Sequence, residues 1–232
     1  TSIASGTVNV DGDYRLQSTS PCIDKGILDS IPIGIETDLG DNRRNNCKIN
    51  LGAYSYLFKS IRYVKTVASG TGSGNSWANA SSDLQLMINQ ACQNTEIWVA
   101  SGTYMPIRPA NNLNTIYVNS RENAFVLKAD VKILGGFPST GTPLMAHRDW
   151  NTNVTILSGN IGSINDNLDN AYHVVISSND VGTAELNGFS IADGQANGSY
   201  SINVNYIMID HNIGGGMYCS SSSPRLFNCK FL

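Results

Sequence analysis

The sequence predicts an all-β protein of parallel strands with one short helix, and three observations carry that prediction. Short apolar runs recur between turns rich in Gly, Asn, Asp and Ser, from residue 96 to the end. The segment LNGFSIA (186–192) aligns without gaps on LFNCKFL (226–232), with Leu186 on Leu226, Gly188 on Asn228, Phe189 on Cys229 and Ile191 on Phe231. This is a strand, a kink at a residue that tolerates left-handed backbone, and a second strand, used twice. Finally, core-like residues lie too far apart for hairpins: 23 positions from Ile133 to Ile156 and 19 from Ile156 to Val175. No helical periodicity fills those gaps, so the crossover helix of a βαβ unit is missing. Parallel strands without crossover helices imply a solenoid, each coil stacking on the one below. The expected fold is a right-handed parallel β-helix.

The elements follow in order. Residues 1–58 hold strand and turn pieces and no helix, as in DYRLQSTSPCIDKG and TDLGDNRRNNCKINLGAYSY. They precede a fresh cap and are expected to be the C-terminal end of a preceding β-helix domain. The boundary falls near YLFKSIRY (56–63). Residues 61–232 are expected to form the N-terminal cap and first coils of a second β-helix, truncated at its C-terminus. A capping α-helix is expected at about 82–92. There Leu84, Met87, Ile88 and Ala91 fall at i, i+3, i+4 and i+7, Ser81 or Ser82 offers an N-cap, and Asp83 sits in the first turn. Its task would be to cover the apolar end and open strand edges of the first coil. The strand candidates are EIWVA (96–100), NAFVLK (123–128), VKILGGF (131–137), VTILSG (154–159), YHVVIS (172–177) and the two repeated segments. The last coil leaves an open edge, so the chain is expected to continue into further domains of its own.

Composition narrows the function. The 232 residues are 41% hydrophobic and only 14% charged, so solubility must come from Asn, Ser, Thr and Gly, as in β-rich extracellular proteins. The net charge of −3 with no basic run argues against nucleic acid. No apolar run reaches membrane-spanning length.

Candidate sites are few. Trp77, Trp98 and Trp150 could stack on sugar rings as a carbohydrate-binding platform, or pack loops onto the solenoid. Asp166 and Asp169 in NDNLDN could hold calcium, or form a solvated turn. No other cofactor is required. Cys22 and Cys47 could form a disulfide, or remain buried thiols. Cys219 and Cys229 sit in strand-like segments, where an unpaired core position is expected. Arg108, Arg121, Lys128, Lys132, Arg148, Asp130 and Asp149 are the one concentration of charge from which a lyase site could be built. No Ser/His/Asp triad is evident, and His173 in YHVVIS reads as a strand residue with one satisfied nitrogen.

One resemblance adds to this. YVKTVASGTGSGNSWANASSDLQLMINQA…EIWVASGTYMP, AFVLKADVKILGGF, RDWNTNVTILSGNI, DNAYHVV, LNGFSIADGQA and GGGMYCSSSSPRLFNC together span most of residues 63–232. The combination resembles the bacterial right-handed parallel β-helix repeat surface and secreted proteins of the pectin lyase-like fold, many of them type IX secretion substrates. SPCIDKG…DLGDNRRNN…INLGAYSY resembles the C-terminal coil of that family. Members usually carry D-x-D-G-N-x-R there, where this chain has Asp38-Leu39-Gly40-Asp41-Asn42-Arg43-Arg44, and an acid after the last Tyr, where it has Ser55. The resemblance implies tandem β-helices, placement outside a Gram-negative cell, passage through a secretion machine, and polysaccharide or host-glycan partners. It fixes no activity, because the fold hosts lyases, hydrolases, adhesins and stalks. The function expected is a non-catalytic surface or secreted adhesin or stalk segment that binds glycan. The alternative is a polysaccharide lyase or glycoside hydrolase acting in its strand-face groove.

Overall fold

The structure is a computed structural model that describes residues 14–27, 30–32, 35, 37–42, 49–54 and 59–232. The chain divides into two compact units, Thr1–Phe58 and Lys59–Leu232.

The described residues of the first unit are mostly turns and bends. Gly26 and Ile49 form an isolated antiparallel bridge, with a Gly26 N–H to Ile49 carbonyl bond of 2.8 Å. The buried Asp38 closes its own turn: its Oδ1 accepts the Gly40 and Asn42 amides at 2.7 and 2.9 Å. The Asp-Leu-Gly-Asp-Asn stretch thus uses its carboxylate as turn chemistry. Cys22 carries a free thiol, so the expected pairing with Cys47 is not made; Cys47 lies outside the described residues. Among the described residues the disulfide-bonded cysteine is Cys92, in the second unit.

The second unit begins with strand β1 (Ser60–Val64) and helix α1 (Leu84–Gln90). The strands β2 (Thr95–Ala100), β3 (Gly102–Tyr104), β4 (Phe125–Val126), β5 (Lys132–Phe137), β6 (Thr155–Ser158) and β7 (Val175–Ser178) follow. Next come β8 (Glu185–Asn187), β9 (Ser190–Ala192), β10 (Ser201–Val204) and β11 (Ile207–Asp210). The last three are β12 (Met217–Ser220), β13 (Arg225–Phe227) and β14 (Lys230–Phe231). Three sheets are parallel throughout: β1-β2-β5-β8-β13, then β14-β9-β6-β3, then β12-β7-β4. From β2 onward the chain visits the first, second and third sheets in strict rotation. The antiparallel hairpin β10–β11 is inserted between β9 and β12.

Register explains the core. Ile97, Ile133, Leu186 and Leu226 stand in one row across the first sheet. Tyr104, Leu157, Ile191 and Phe231 form the row of the second, and Phe125, Val175 and Met217 that of the third. Most of these side chains meet in a single apolar cluster, joined by Leu84, Met87, Ile88 and Ala91 of the helix segment. The aligned pairs Leu186–Leu226 and Ile191–Phe231 are strand partners, and the kink residues Gly188 and Asn228 both have positive φ, 82° and 51°.

Four expectations are corrected. The helix is shorter than 82–92, and its N-cap is Asp83, whose Oδ1 accepts the Leu86 amide at 2.8 Å; a carboxylate outcompetes the neighbouring serines for that role. Ile133, Ile156 and Val175 belong to three different sheets, so their spacing is not the repeat. Long insertions between strands stretch the true one: 36 residues separate Ile97 from Ile133, 53 separate Ile133 from Leu186, and 40 separate Leu186 from Leu226. Cys229 does pack against the core as a free thiol, but Cys219 is exposed. No helix among the described residues is long and apolar enough to cross a membrane.

Candidate functional site

The tryptophans are placed first by the alternation of β2. Ile97 and Val99 point to the core, so Trp98 points to the opposite face of the first sheet. There it stacks on Phe137 at 4.6 Å and meets Tyr63 edge-on at 5.8 Å. Trp77 covers this face from a short 3₁₀ turn, Trp77–Asn79, its indole N–H donating to the Pro143 carbonyl at 2.8 Å. Trp77 and Trp98 are only 5% and 7% exposed, so neither offers a ring face to a sugar. They are the packing of a second apolar layer, and the expected platform of Trp77 and Trp98 is not there. Trp150 is half-buried and carries the Arg148 guanidinium over its ring at 5.0 Å.

Four of the five cations of the charged segment, Arg108, Arg121, Lys128 and Arg148, are engaged in holding loops. Arg108 donates to Asp83 Oδ2 from two nitrogens, at 2.9 and 2.7 Å, and to the Leu113 carbonyl. Arg121 binds the Asn170 and Gln195 carbonyls and Asn197 Oδ1. Arg148 binds the carbonyls of Gly135 and Asn187 and the Asn187 side chain. Lys128 Nζ caps the end of α1 through the Asn89 and Ala91 carbonyls, both at 2.7 Å, and burial pulls its pKa down. Asp149 Oδ1 accepts the amides of Asn151 and Thr152, while its Oδ2 takes the Thr152 hydroxyl; together these bonds pull its pKa down.

The two candidate calcium ligands close local turns in the same way. Asp166 caps the 3₁₀ turn Asn167–Asp169 by accepting the Leu168 amide at 2.9 Å, and Asp169 accepts the Ser163 amide at 2.7 Å. Among the described residues no group of three or more His, Cys, Asp and Glu side chains converges.

A site missed in the sequence lies elsewhere. A cleft of about 500 Å³ opens between α1, the turn after β4, the end of β7 and the tip of the β10–β11 hairpin. Its floor is apolar, with Ile88, Val126 and Val181; its rim is Asn89, Asn114, Asn179, Asp180 and Asn205 beside Lys128. Tyr206 stands at the edge with its side chain 93% exposed. The hairpin docks through Ile202, Val204 and Ile209 onto Val126 and Ile176. Its tip is pinned by Asn205 Nδ2 donating to Ser178 Oγ at 3.1 Å. Both tip residues are left-handed, Asn205 at φ 52° and Tyr206 at 67°, as a two-residue type I′ turn requires. Asparagine tolerates that conformation; tyrosine does so at a cost of about 1 kcal/mol.

No protein-family model, curated protein or solved structure matches this chain. The chemistry of the cleft must therefore speak through its residues. A flat exposed ring offers a stacking surface to the C–H face of a pyranose. Planar amides and a carboxylate around an apolar floor offer the paired donors and acceptors that vicinal hydroxyls need. The sequence signal for a hairpin, Asn-Gly or Asp-Gly, is absent here because Tyr206 occupies the glycine position.

Proposed function

We propose that the unit Lys59–Leu232 is a right-handed parallel β-helix, a non-catalytic segment of a secreted or surface protein of a Gram-negative bacterium, and that it binds polysaccharide or host-surface glycan in the cleft beside Tyr206. The strict rotation of the chain among three parallel sheets supports the β-helix, and the handedness follows the strong right-handed bias of parallel crossover connections. Residues 1–58 would then be the end of a preceding β-helix, and export would run through a type IX secretion machine. The engagement of Arg108, Arg121, Lys128 and Arg148 in loop carbonyls and ion pairs supports a scaffold role for the charge that a lyase would spend on chemistry.

The observation that carries glycan binding is the exposed ring of Tyr206, held in costly backbone geometry at the edge of a polar-rimmed cleft. Calorimetric titration with cellulose, xylan, chitin and pectin oligosaccharides tests it. Binding to at least one is expected, weakened about tenfold in Tyr206→Ala by the lost stacking. Binding that ignores the substitution, or no binding to any of the four, overturns this reading. Unsaturated or shortened product in the same mixtures would replace it with the lyase or hydrolase alternative.

A further inference from the structure

The hairpin that carries Tyr206 is framed at its base by a pair of buried histidines. His211 follows β11 directly; its amide donates to the Tyr200 carbonyl at 3.1 Å, and its carbonyl accepts the Gly198 amide at 2.9 Å. The imidazole is 1% exposed and stacks on Tyr172 at 4.2 Å, with Tyr200 edge-on at 4.7 Å. His173, from the segment before β7, is 2% exposed and lies 5.4 Å from the His211 ring. Tyr218 of β12 meets His173 edge-on at 5.4 Å. Gly198 is required here, since a Cβ on it would come within 2.6 Å of His211 and 2.9 Å of the Tyr172 ring.

Three ring nitrogens of this pair have no hydrogen-bond partner: His173 Nε2 and both nitrogens of His211. His173 Nδ1 lies 3.1 Å from the Gly214 carbonyl, which makes it the donor in a neutral ring. The charged groups facing the pair pull in opposite directions. Arg121, from the loop before β4, lies over Tyr172 at 4.0 Å and adds positive charge. Asp210 is bonded by the Ser201 hydroxyl, and Glu122 by the Tyr200 hydroxyl at 3.3 Å. Burial, the neighbouring His173 and Arg121 push the His211 pKa down to about 4 against the opposing pull of Asp210, and burial also lowers that of His173.

We infer that His173 and His211 form an acid-sensitive latch at the base of the β10–β11 hairpin, and that protonation of the pair releases the hairpin, and Tyr206 with it, from the face of the third sheet. This regulation rests on the glycan reading only for its consequence; the latch itself does not depend on it. Buried, both rings prefer the neutral form; released, both return to the ordinary histidine value near 6.5. The closed hairpin is therefore at full strength above that value and weakens as pH falls through it. Two histidines together favour release by about 30-fold between pH 6.5 and 5.5.

Native-state hydrogen exchange on the whole chain, with rates corrected to protection factors, reads this directly. Hairpin amides are expected to lose about 30-fold protection over that interval while the amides of Ile97 and Ile133 keep theirs. In His211→Phe, which keeps a stacked ring and cannot titrate, the loss should shrink to about fivefold. Hairpin protection flat with pH, a parallel loss at Ile97 and Ile133, or a full loss in His211→Phe each overturns the latch. Should the variant not fold, the wild-type profile decides alone. Failure of the glycan reading shows separately, as no Tyr206-dependent binding of the four oligosaccharides at pH 7.5, where the hairpin is seated.

Discussion

At the scale of single residues, Tyr206 sets backbone ease against the proposed glycan contact. Glycine is at ease in left-handed backbone, so Tyr206→Gly should raise the stability of the chain by about 1 kcal/mol in urea denaturation. The same change removes the ring and should weaken oligosaccharide binding about tenfold, as in Tyr206→Ala. A substitution that improves the fold and weakens the site is the signature of a residue kept for function; no gain in stability would mean the turn is unstrained. Tyr206 was illegible in the sequence because nothing marks a tyrosine as a turn residue. His173 reads in the sequence as a strand histidine with one satisfied nitrogen; the single satisfied nitrogen is observed, but the residue lies just before β7. Its partner His211 is 38 positions away, and only the folded hairpin brings the two rings together. The tryptophans were legible as residues of interest but not as buried ones, because one sequence cannot say which face of a sheet is covered.

At the scale of elements, α1 shows how a seven-residue helix is held in place. So short a helix is unstable alone and depends on its caps and packing. Asp83 serves twice, capping Leu86 through Oδ1 and binding the guanidinium of Arg108 through Oδ2. The Arg108 side chain is 6% exposed, so Asp83→Ala would strand a buried charge. A loss of about 3–5 kcal/mol is expected from denaturant midpoints. Asp83→Asn keeps the cap and should recover part of it; equal losses in both would assign the whole effect to the ion pair. Elements with strong local patterns were legible: the helix by its apolar period, and β8, β9, β13 and β14 by their gapless repeat. The hairpin was not, since its strands alternate weakly and its turn lacks glycine. The repeat length was obscured by insertions that differ from one passage to the next.

At the scale of the whole molecule, stacked rows make the cost of a mutation depend on its place in the row. Leu186 lies between Ile133 and Leu226 and is 1% exposed, whereas Leu226, at the end of the same row, is 40% exposed. Leu186→Ala should cost about 2–5 kcal/mol and Leu226→Ala well under half as much, measured by thermal or urea unfolding. Equal costs would mean the row does not act as a stack. The alternating register Glu96, Lys132, Glu185 and Arg225 across the same sheet adds a ladder of opposite charges. The parallel architecture was legible because it rests on the backbone rhythm of the whole chain; the site was not, because it is made where distant loops meet. The rotation of the chain among three sheets also fixes where variation is cheap. The stretch from β9 to β12 leaves one sheet and rejoins the next, so its length is free so long as its two ends reach the same corner. The hairpin is thus an exchangeable attachment on a constant frame: residues 193–216 can change in length and sequence while the three stacked sheets stay as they are.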